Sequence, residues 1–200
     1  MVTYHSKIEL GGGYAGLAFT ARQISEYIPK YQIYVEPFAG LGRVGEYVQA
    51  DSKVFNDKSQ YAYKYLLKQF PKAIISNVDF EACINNHDSE NTFFLIDPPW
   101  RDAIYSGIDK YFQDRKAVEY YKRLLEILPK IKGDWFLCSS LAERGLNKIL
   151  SKSGYPLLDI KSKRMICGKP ATVRMISNKP FIRCSQEILC LTVEKEGSSL

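Results

Sequence analysis

The sequence has no run of about 18 apolar residues, the length that crosses a bilayer, so no membrane association is expected. Its start lacks a basic segment followed by an apolar stretch, so no secretory signal peptide is expected either. No C-x-x-C pair occurs. The five cysteines, Cys83, Cys138, Cys167, Cys184 and Cys190, are odd in number and scattered. Neither a zinc site nor a disulfide framework is expected from them, and reduced thiols in a cytoplasmic protein are the simpler reading. No repeat or low-complexity segment is visible. Carboxylates are missing from one long stretch: between Asp159 and Glu187 stand Lys161, Lys163, Arg164, Lys169, Arg174, Lys179 and Arg183, with no Asp or Glu.

What is present bounds a globular protein. The chain has 200 residues, 46% of them hydrophobic, and a formal net charge of +6. That length supplies the core of one domain rather than two, so residues 1–200 are expected to form a single unit. The positive balance favours a polyanionic partner. The basic stretch fits phosphate contacts along a nucleic-acid backbone, and fits a solvated basic surface equally well.

Short apolar, β-rich runs alternate with helical patterns. Ile33–Glu36, Lys53–Asn56, Ile74–Val78, Thr92–Ile96 and Trp135–Ser139 read as strands. Arg22–Ile28, Arg43–Ala50, Tyr61–Gln69 and Lys116–Leu128 read as helices. The last carries Val118, Tyr121, Leu125 and Leu128 on one face and stops at Pro129. This alternation predicts a mostly parallel sheet covered on both faces. After Gly154 the strand-like runs Lys163–Ile166, Val173–Ile176 and Glu187–Val193 follow without helices, which predicts an antiparallel edge or hairpin.

Two stretches carry chemistry. Val35-Glu36-Pro37-Phe38-Ala39-Gly40-Leu41-Gly42 joins a predicted strand to a predicted helix, and Gly40 and Gly42 let the backbone turn tightly against a ligand. The loop alone also leaves a dinucleotide site open. Asp57, after the second strand, either accepts from ribose hydroxyls or caps the following helix. Asp79, after the third, either accepts from an adenine amine or serves as a cap or turn residue.

The second stretch is Asp97-Pro98-Pro99-Trp100, directly after the apolar run Phe93–Ile96. The prolines stiffen the strand exit and remove two donors, which leaves carbonyls as the polar backbone groups. Asp97 and the Pro98 carbonyl could accept both hydrogens of an exocyclic base amine while Trp100 stacks on the base. Such acceptors favour rehybridisation of the nitrogen toward an activated methyl group, with orientation and desolvation as the catalytic terms and no metal required. A plain Pro-Pro strand terminator is the bland alternative, and the upstream glycine loop argues against it.

These residues resemble the Dam-like adenine-specific DNA methyltransferases. Glu36 to Gly42 looks like that family's cofactor loop, and Asp97-Pro98-Pro99-Trp100 like its catalytic tetrapeptide, in the family's order. Gly11-Gly12-Gly13 looks more loosely like its upstream glycine pair, with Tyr14 where the family has lysine. The resemblance implies a Rossmann-like methyltransferase fold with a mostly parallel seven-stranded sheet, an antiparallel edge strand and helices on both faces. It also implies S-adenosyl-L-methionine as cofactor, contacted by Gly12, Gly13, Glu36, Pro37, Phe38, Gly40 and Gly42, with Asp57 on its ribose and Asp79 on its adenine amine. Asp97, Pro98, Pro99 and Trp100 would address adenine in nucleic acid, DNA ahead of RNA.

One departure matters. Dam-like enzymes usually carry a target-recognition domain between the two motifs, whereas here about sixty residues separate Phe38 from Asp97 and predicted elements fill them. Recognition is then minimal, or left to Asp102–Asp114, to the basic stretch, or to a partner such as a specificity subunit or a second copy. A guanine-amine RNA methyltransferase and a nucleic-acid-binding relic without catalysis are the competing readings.

Overall fold

The computed structural model describes residues 17–99, 114–140, 149–150, 152–166 and 169–184. Among the described residues, seven strands form one sheet. They are β1 (Tyr31–Glu36), β2 (Ala50–Asn56), β3 (Ile74–Ser76), β4 (Thr92–Ile96), β5 (Asp134–Ser140), β6 (Leu157–Ile166) and β7 (Lys169–Ser177). Their order is β3-β2-β1-β4-β5-β7-β6. β1 to β5 run parallel, and β7 lies antiparallel between β5 and the outermost strand β6. This is the mostly parallel Rossmann-like sheet of the methyltransferase fold, with the expected antiparallel element toward one edge.

β4 shows why the sheet is built this way. All five of its residues are buried, as expected of a central parallel strand covered on both faces. On one face Tyr34, Phe93, Leu95, Phe136 and Met175 pack with Leu17, Ala21 and Ile24, the latter two in α1 (Ala21–Ser25). On the other, Val35, Phe94, Ile96 and Leu137 pack with Phe80, Cys83 and Ile84 of α3 (Phe80–His87) and Leu124 of α4 (Asp114–Ile127). The alternation of Phe93/Leu95 with Phe94/Ile96 feeds both cores from one strand.

α2 (Gln60–Gln69) and α4 match their expected positions closely, and Pro129 sits in a single 3-10 turn, Leu128–Lys130, that ends α4. The helix expected at Arg43–Ala50 does not form: residues 43–47 are turns, and β2 already starts at Ala50. The amide of Gly45 donates to the Glu36 carboxylate at 2.8 Å instead of entering a helical ladder. α3 was not expected from the sequence. The strand expected to start at Lys163 begins earlier, at Leu157. The expected strand Glu187–Val193 lies outside the described residues.

Chain direction fixes where a site can form. From β1 the chain moves outward through β2 to β3, then returns to β4 on the other side of β1. Strand order reverses between β1 and β4, and in such sheets the crevice at the carboxyl ends of those two strands takes the ligand.

Candidate functional site

The loop after β1 is held from beneath by Glu36. This carboxylate is buried, and its Oε1 accepts from the Tyr34 hydroxyl at 2.8 Å and from the Gly45 amide at 2.8 Å. Burial pushes the Glu36 carboxyl up to about 8, against the lowering effect of those two donors. Nearby Asp97 pushes it further up, while Lys53 pulls it down. Lys53 also donates to the Gly45 carbonyl at 2.7 Å, so both polar backbone groups of Gly45 are engaged. No larger residue fits there, since a Cβ on Gly45 would lie 2.4 Å from Phe55 Cε1 and 2.9 Å from Glu36 Oε1.

Gly40 and Gly42 adopt φ of 52° and 65°, a left-handed region that glycine enters without penalty. Asp57 and Asn56, at the carboxyl end of β2, clasp this turn. Asp57 Oδ2 accepts from the Gly40 amide at 2.8 Å, and its Oδ1 accepts from the Ser59 amide at 2.8 Å. Ser59, rather than Asp57, is the N-cap of α2. Buried Asn56 makes four side-chain hydrogen bonds. Its Nδ2 donates to the carbonyls of Pro37 at 2.9 Å and Val78 at 3.1 Å. Its Oδ1 accepts from Ser76 Oγ at 2.8 Å and the Val78 amide at 2.9 Å. One amide thus ties together the exits of β1, β2 and β3.

Asp79 caps α3, accepting from the Glu81 amide at 3.1 Å. It also receives Arg123 Nη2 at 2.7 Å and has Lys58 Nζ at 3.5 Å. Burial works to raise the Asp79 carboxyl, but the Glu81 amide, Arg123 and Lys58 outweigh it and hold it below the usual carboxylate range. Arg123, from α4, also donates to Glu81 Oε1 at 2.8 Å and lies 4.9 Å from the centroid of the Phe80 ring. The Phe80 ring in turn lies 5.2 Å from that of Phe38. An aromatic pair therefore lies between the β1 loop and the start of α3, anchored by a cation from α4.

Asp97, Pro98 and Pro99 leave the carboxyl end of β4, beside the β1 loop. Asp97 is half-buried and Pro98 buried. The Pro99 carbonyl accepts from the Tyr121 hydroxyl of α4 at 2.9 Å. Burial pushes the Cys138 thiol of β5 up, and the charges of Asp97 and Glu36 push it further. Glu36, Asp97 and Cys138 therefore cluster at the ends of three adjacent strands. Trp100, Gly12, Gly13 and Tyr14 lie outside the described residues. Among the described residues, no group of three or more His, Cys, Asp or Glu side chains is placed to hold a metal ion, and no helix is long and apolar enough to cross a membrane.

Sequence reasoning did not assign a role to Tyr34, Lys53, Asn56 or Arg123, and it read Tyr121 only as part of an apolar helix face. Tyr34 had one legible signal: two residues before Glu36 on a strand, it shares that residue's face. The hydrogen-bond partners of Asn56 and Arg123 are nineteen or more positions away, so their roles arise only from the fold.

The basic stretch does not form one surface. Arg174 pairs with Asp159 across β6 and β7, at 2.7 Å. Lys179 pairs with Asp134 at 2.9 Å, and Arg183 with Glu26 at 2.5 Å. Asp134 opens β5 and Glu26 precedes β1, so these last two pairs lie toward the amino edge of the sheet, opposite the Asp97 loop.

No family model and no curated protein sequence matches the chain. Solved structures do match its fold. A candidate methyltransferase of Streptococcus mutans, crystallised with SAH, is 13% identical, with 79% of this chain and 95% of that one covered at a TM-score of 0.50. An rRNA methylase of Streptococcus thermophilus is 10% identical over 80% of this chain and 95% of its own, also at 0.50. A precorrin 8w decarboxylase of Methanobacterium thermoautotrophicum is 13% identical over 79% and 87%, again at 0.50. At these identities the likeness establishes the fold alone, a Rossmann-like sheet of the kind these structures carry.

Proposed function

We propose that this protein is an S-adenosyl-L-methionine-dependent methyltransferase acting on the exocyclic 6-amino group of adenine in nucleic acid, with DNA as the first substrate to test. The observation that carries this reading is the pairing of the two motif loops at the strand-order reversal. Glu36 and Asp97 leave adjacent parallel strands, close enough for the Asp97 charge to help raise the Glu36 carboxyl. The SAH bound to the Streptococcus mutans structure supports the choice of cofactor.

The residues of the crevice suit that cofactor. Gly40 and Gly42 form a tight turn without side chains, and Asp57 offers carboxylate oxygens beside it for ribose hydroxyls. Phe38 and Phe80 provide flat apolar surface, next to Asp79, which we assign to the adenine amine of the cofactor. Glu36, Pro37 and the upstream Gly12 and Gly13 complete the assigned set. When bound, the cofactor supplies an activated methyl group. Asp97 and the Pro98 carbonyl accept the two hydrogens of the target amine, Pro99 stiffens the loop, and Trp100 stacks on the base. The proposal calls on no metal.

RNA is the second reading, favoured by one structural feature. Between Phe38 and Asp97 the chain is occupied by the loop before β2 and by β2, α2, β3, α3 and β4, and no target-recognition insertion of the Dam-like kind is housed there. The rRNA methylase of the same fold belongs beside that observation. Selection of the target then falls to segments after Trp100, to a specificity subunit or to a second copy of the chain.

Incubation of DNA and RNA with methyl-deuterated cofactor, followed by digestion to nucleosides and mass spectrometry, tests this proposal. Label in N6-methyladenine nucleoside from either polymer is the expected outcome, and the polymer identifies the substrate. Label confined to guanine amines, or no label together with no calorimetric cofactor binding, would refute it.

A further inference from the structure

We infer that the β6–β7 hairpin is an arm that grips the phosphodiester backbone of the strand bearing the target base; this inference rests on the reading of the protein as a nucleic-acid methyltransferase. Strand register places the arm. β7 pairs with β5 from Ser177 back to Val173, which stands opposite Ser140. β6 pairs with β7 beyond that point, from Lys161 opposite Thr172 to Ile166 opposite Lys169. The hairpin therefore continues past the last paired residue of β5 by Lys161–Ile166 on one side and Lys169–Thr172 on the other. β6 takes up its two extra residues at an irregularity between Lys161 and Met165, so the four β7 residues set the projection, roughly 13 Å at about 3.3 Å per residue.

The direction of that projection matters. β5 runs parallel to β4, and Ile96 stands opposite Leu137. The hairpin thus extends from the same carboxyl edge that carries Asp97. β7 is two strands from β4 in the sheet, a lateral offset of roughly 10 Å at about 4.8 Å per strand. A base held at Asp97 leaves its backbone within reach of the arm.

Charge separates the arm from the rest of the basic stretch. Residues 160–173 contain Lys161, Lys163, Arg164 and Lys169 and no carboxylate. Lys161 is exposed. Arg174, Lys179 and Arg183 lie outside the projection and are committed to Asp159, Asp134 and Glu26. Lysines on an outer strand also discourage edge-to-edge aggregation, but that role does not explain this placement. The β6 cations gather at the projecting end, at Lys161, Lys163 and Arg164, whereas residues 157–160, the other part of that strand, carry none.

The test compares two sets of substitutions. One combines Lys161→Gln, Lys163→Gln, Arg164→Gln and Lys169→Gln. The other combines Lys179→Gln and Arg183→Gln. Fluorescence anisotropy with labelled single-stranded DNA and RNA oligonucleotides reads the dependence of log affinity on log salt concentration. The arm set is expected to flatten the slope by about three units, at roughly 0.7–0.9 per lost phosphate contact. The Lys179/Arg183 set is expected to leave it unchanged. If the fourfold variant loses calorimetric cofactor binding through misfolding, the four single variants read the same effect at about 0.7–0.9 each. An unchanged slope in the arm variants, equal flattening by the Lys179/Arg183 set, or a wild-type protein that binds neither oligonucleotide would overturn the inference. Cofactor titration of the wild type, in the same series, reports separately on the methyltransferase reading.

Discussion

The hydroxyl of Tyr121 donates to the carbonyl of Pro99 across 2.9 Å, so a residue of α4 fixes the orientation of the loop that carries Asp97. Two residues further along α4, Arg123 reaches Asp79 and Glu81. One helix thus holds both the exit of β4 and the start of α3.

Tyr121→Phe keeps the ring that packs against the core and removes only the donor. A neutral hydrogen bond contributes about 0.5–1.5 kcal/mol, so turnover is expected to fall roughly two- to tenfold. Cofactor affinity by calorimetry should stay within experimental scatter, because the lost bond acts on the base-facing loop. A parallel loss of cofactor affinity would assign Tyr121 to general stability instead.

Gly45→Ala is expected to destabilise the fold and weaken cofactor binding together. Its Cβ would meet Phe55 Cε1 at 2.4 Å and Phe55 Cζ at 2.5 Å, a buried ring that has little room to move. Overpacking of this kind costs about 1–3 kcal/mol. Thermal denaturation checks the first effect and calorimetry the second; a variant with unaltered melting temperature would show that the loop can shift.

Much of this architecture was legible before any coordinates, and the exceptions have physical causes. Thr92–Ile96 was readable because a continuous apolar run before two prolines has few other uses. Arg43–Ala50 misled because Val44, Tyr47 and Val48 space like a helix, while the Gly45 amide finds its partner in Glu36, nine positions earlier. Helix α3 is short and ends in Asn85, Asn86 and His87, weak helix formers; it depends on capping by Asp79, a residue whose sequence context suited a ligand contact equally well. The role of Asn56 was hidden because its four bonds reach Pro37, Ser76 and Val78, which only the assembled sheet brings together.

Glu36 gives the site a pH signature. Its carboxyl, facing Tyr34, Gly45, Lys53, Asp97 and Cys138, is pushed by burial up to about 8 in the folded protein, above the roughly 4.3 of an unfolded chain. The folded state therefore holds more protons at this position between those values. Its contribution to stability is full below about pH 4 and is lost as pH rises through about 8. Glu36→Gln retains an oxygen that accepts from Tyr34 and Gly45 but does not titrate. Between pH 5 and 8 the wild-type melting temperature should fall relative to that of Glu36→Gln. Parallel curves across this range would show that Glu36 keeps an ordinary carboxylate pKa.

The most direct measurement of the central claim is single-turnover transfer of a labelled methyl group from pre-bound S-adenosyl-L-methionine to an adenine-containing oligonucleotide, by the wild type and by Asp97→Ala. The Asp97 carboxylate is assigned to the target amine and not to the cofactor. The account therefore predicts cofactor affinity within about a few-fold of wild type and loss of about 2.7–4 kcal/mol or more of transition-state stabilisation, leaving transfer at least roughly a hundredfold slower. Transfer by Asp97→Ala within a few-fold of the wild-type rate, with the cofactor bound, would contradict it.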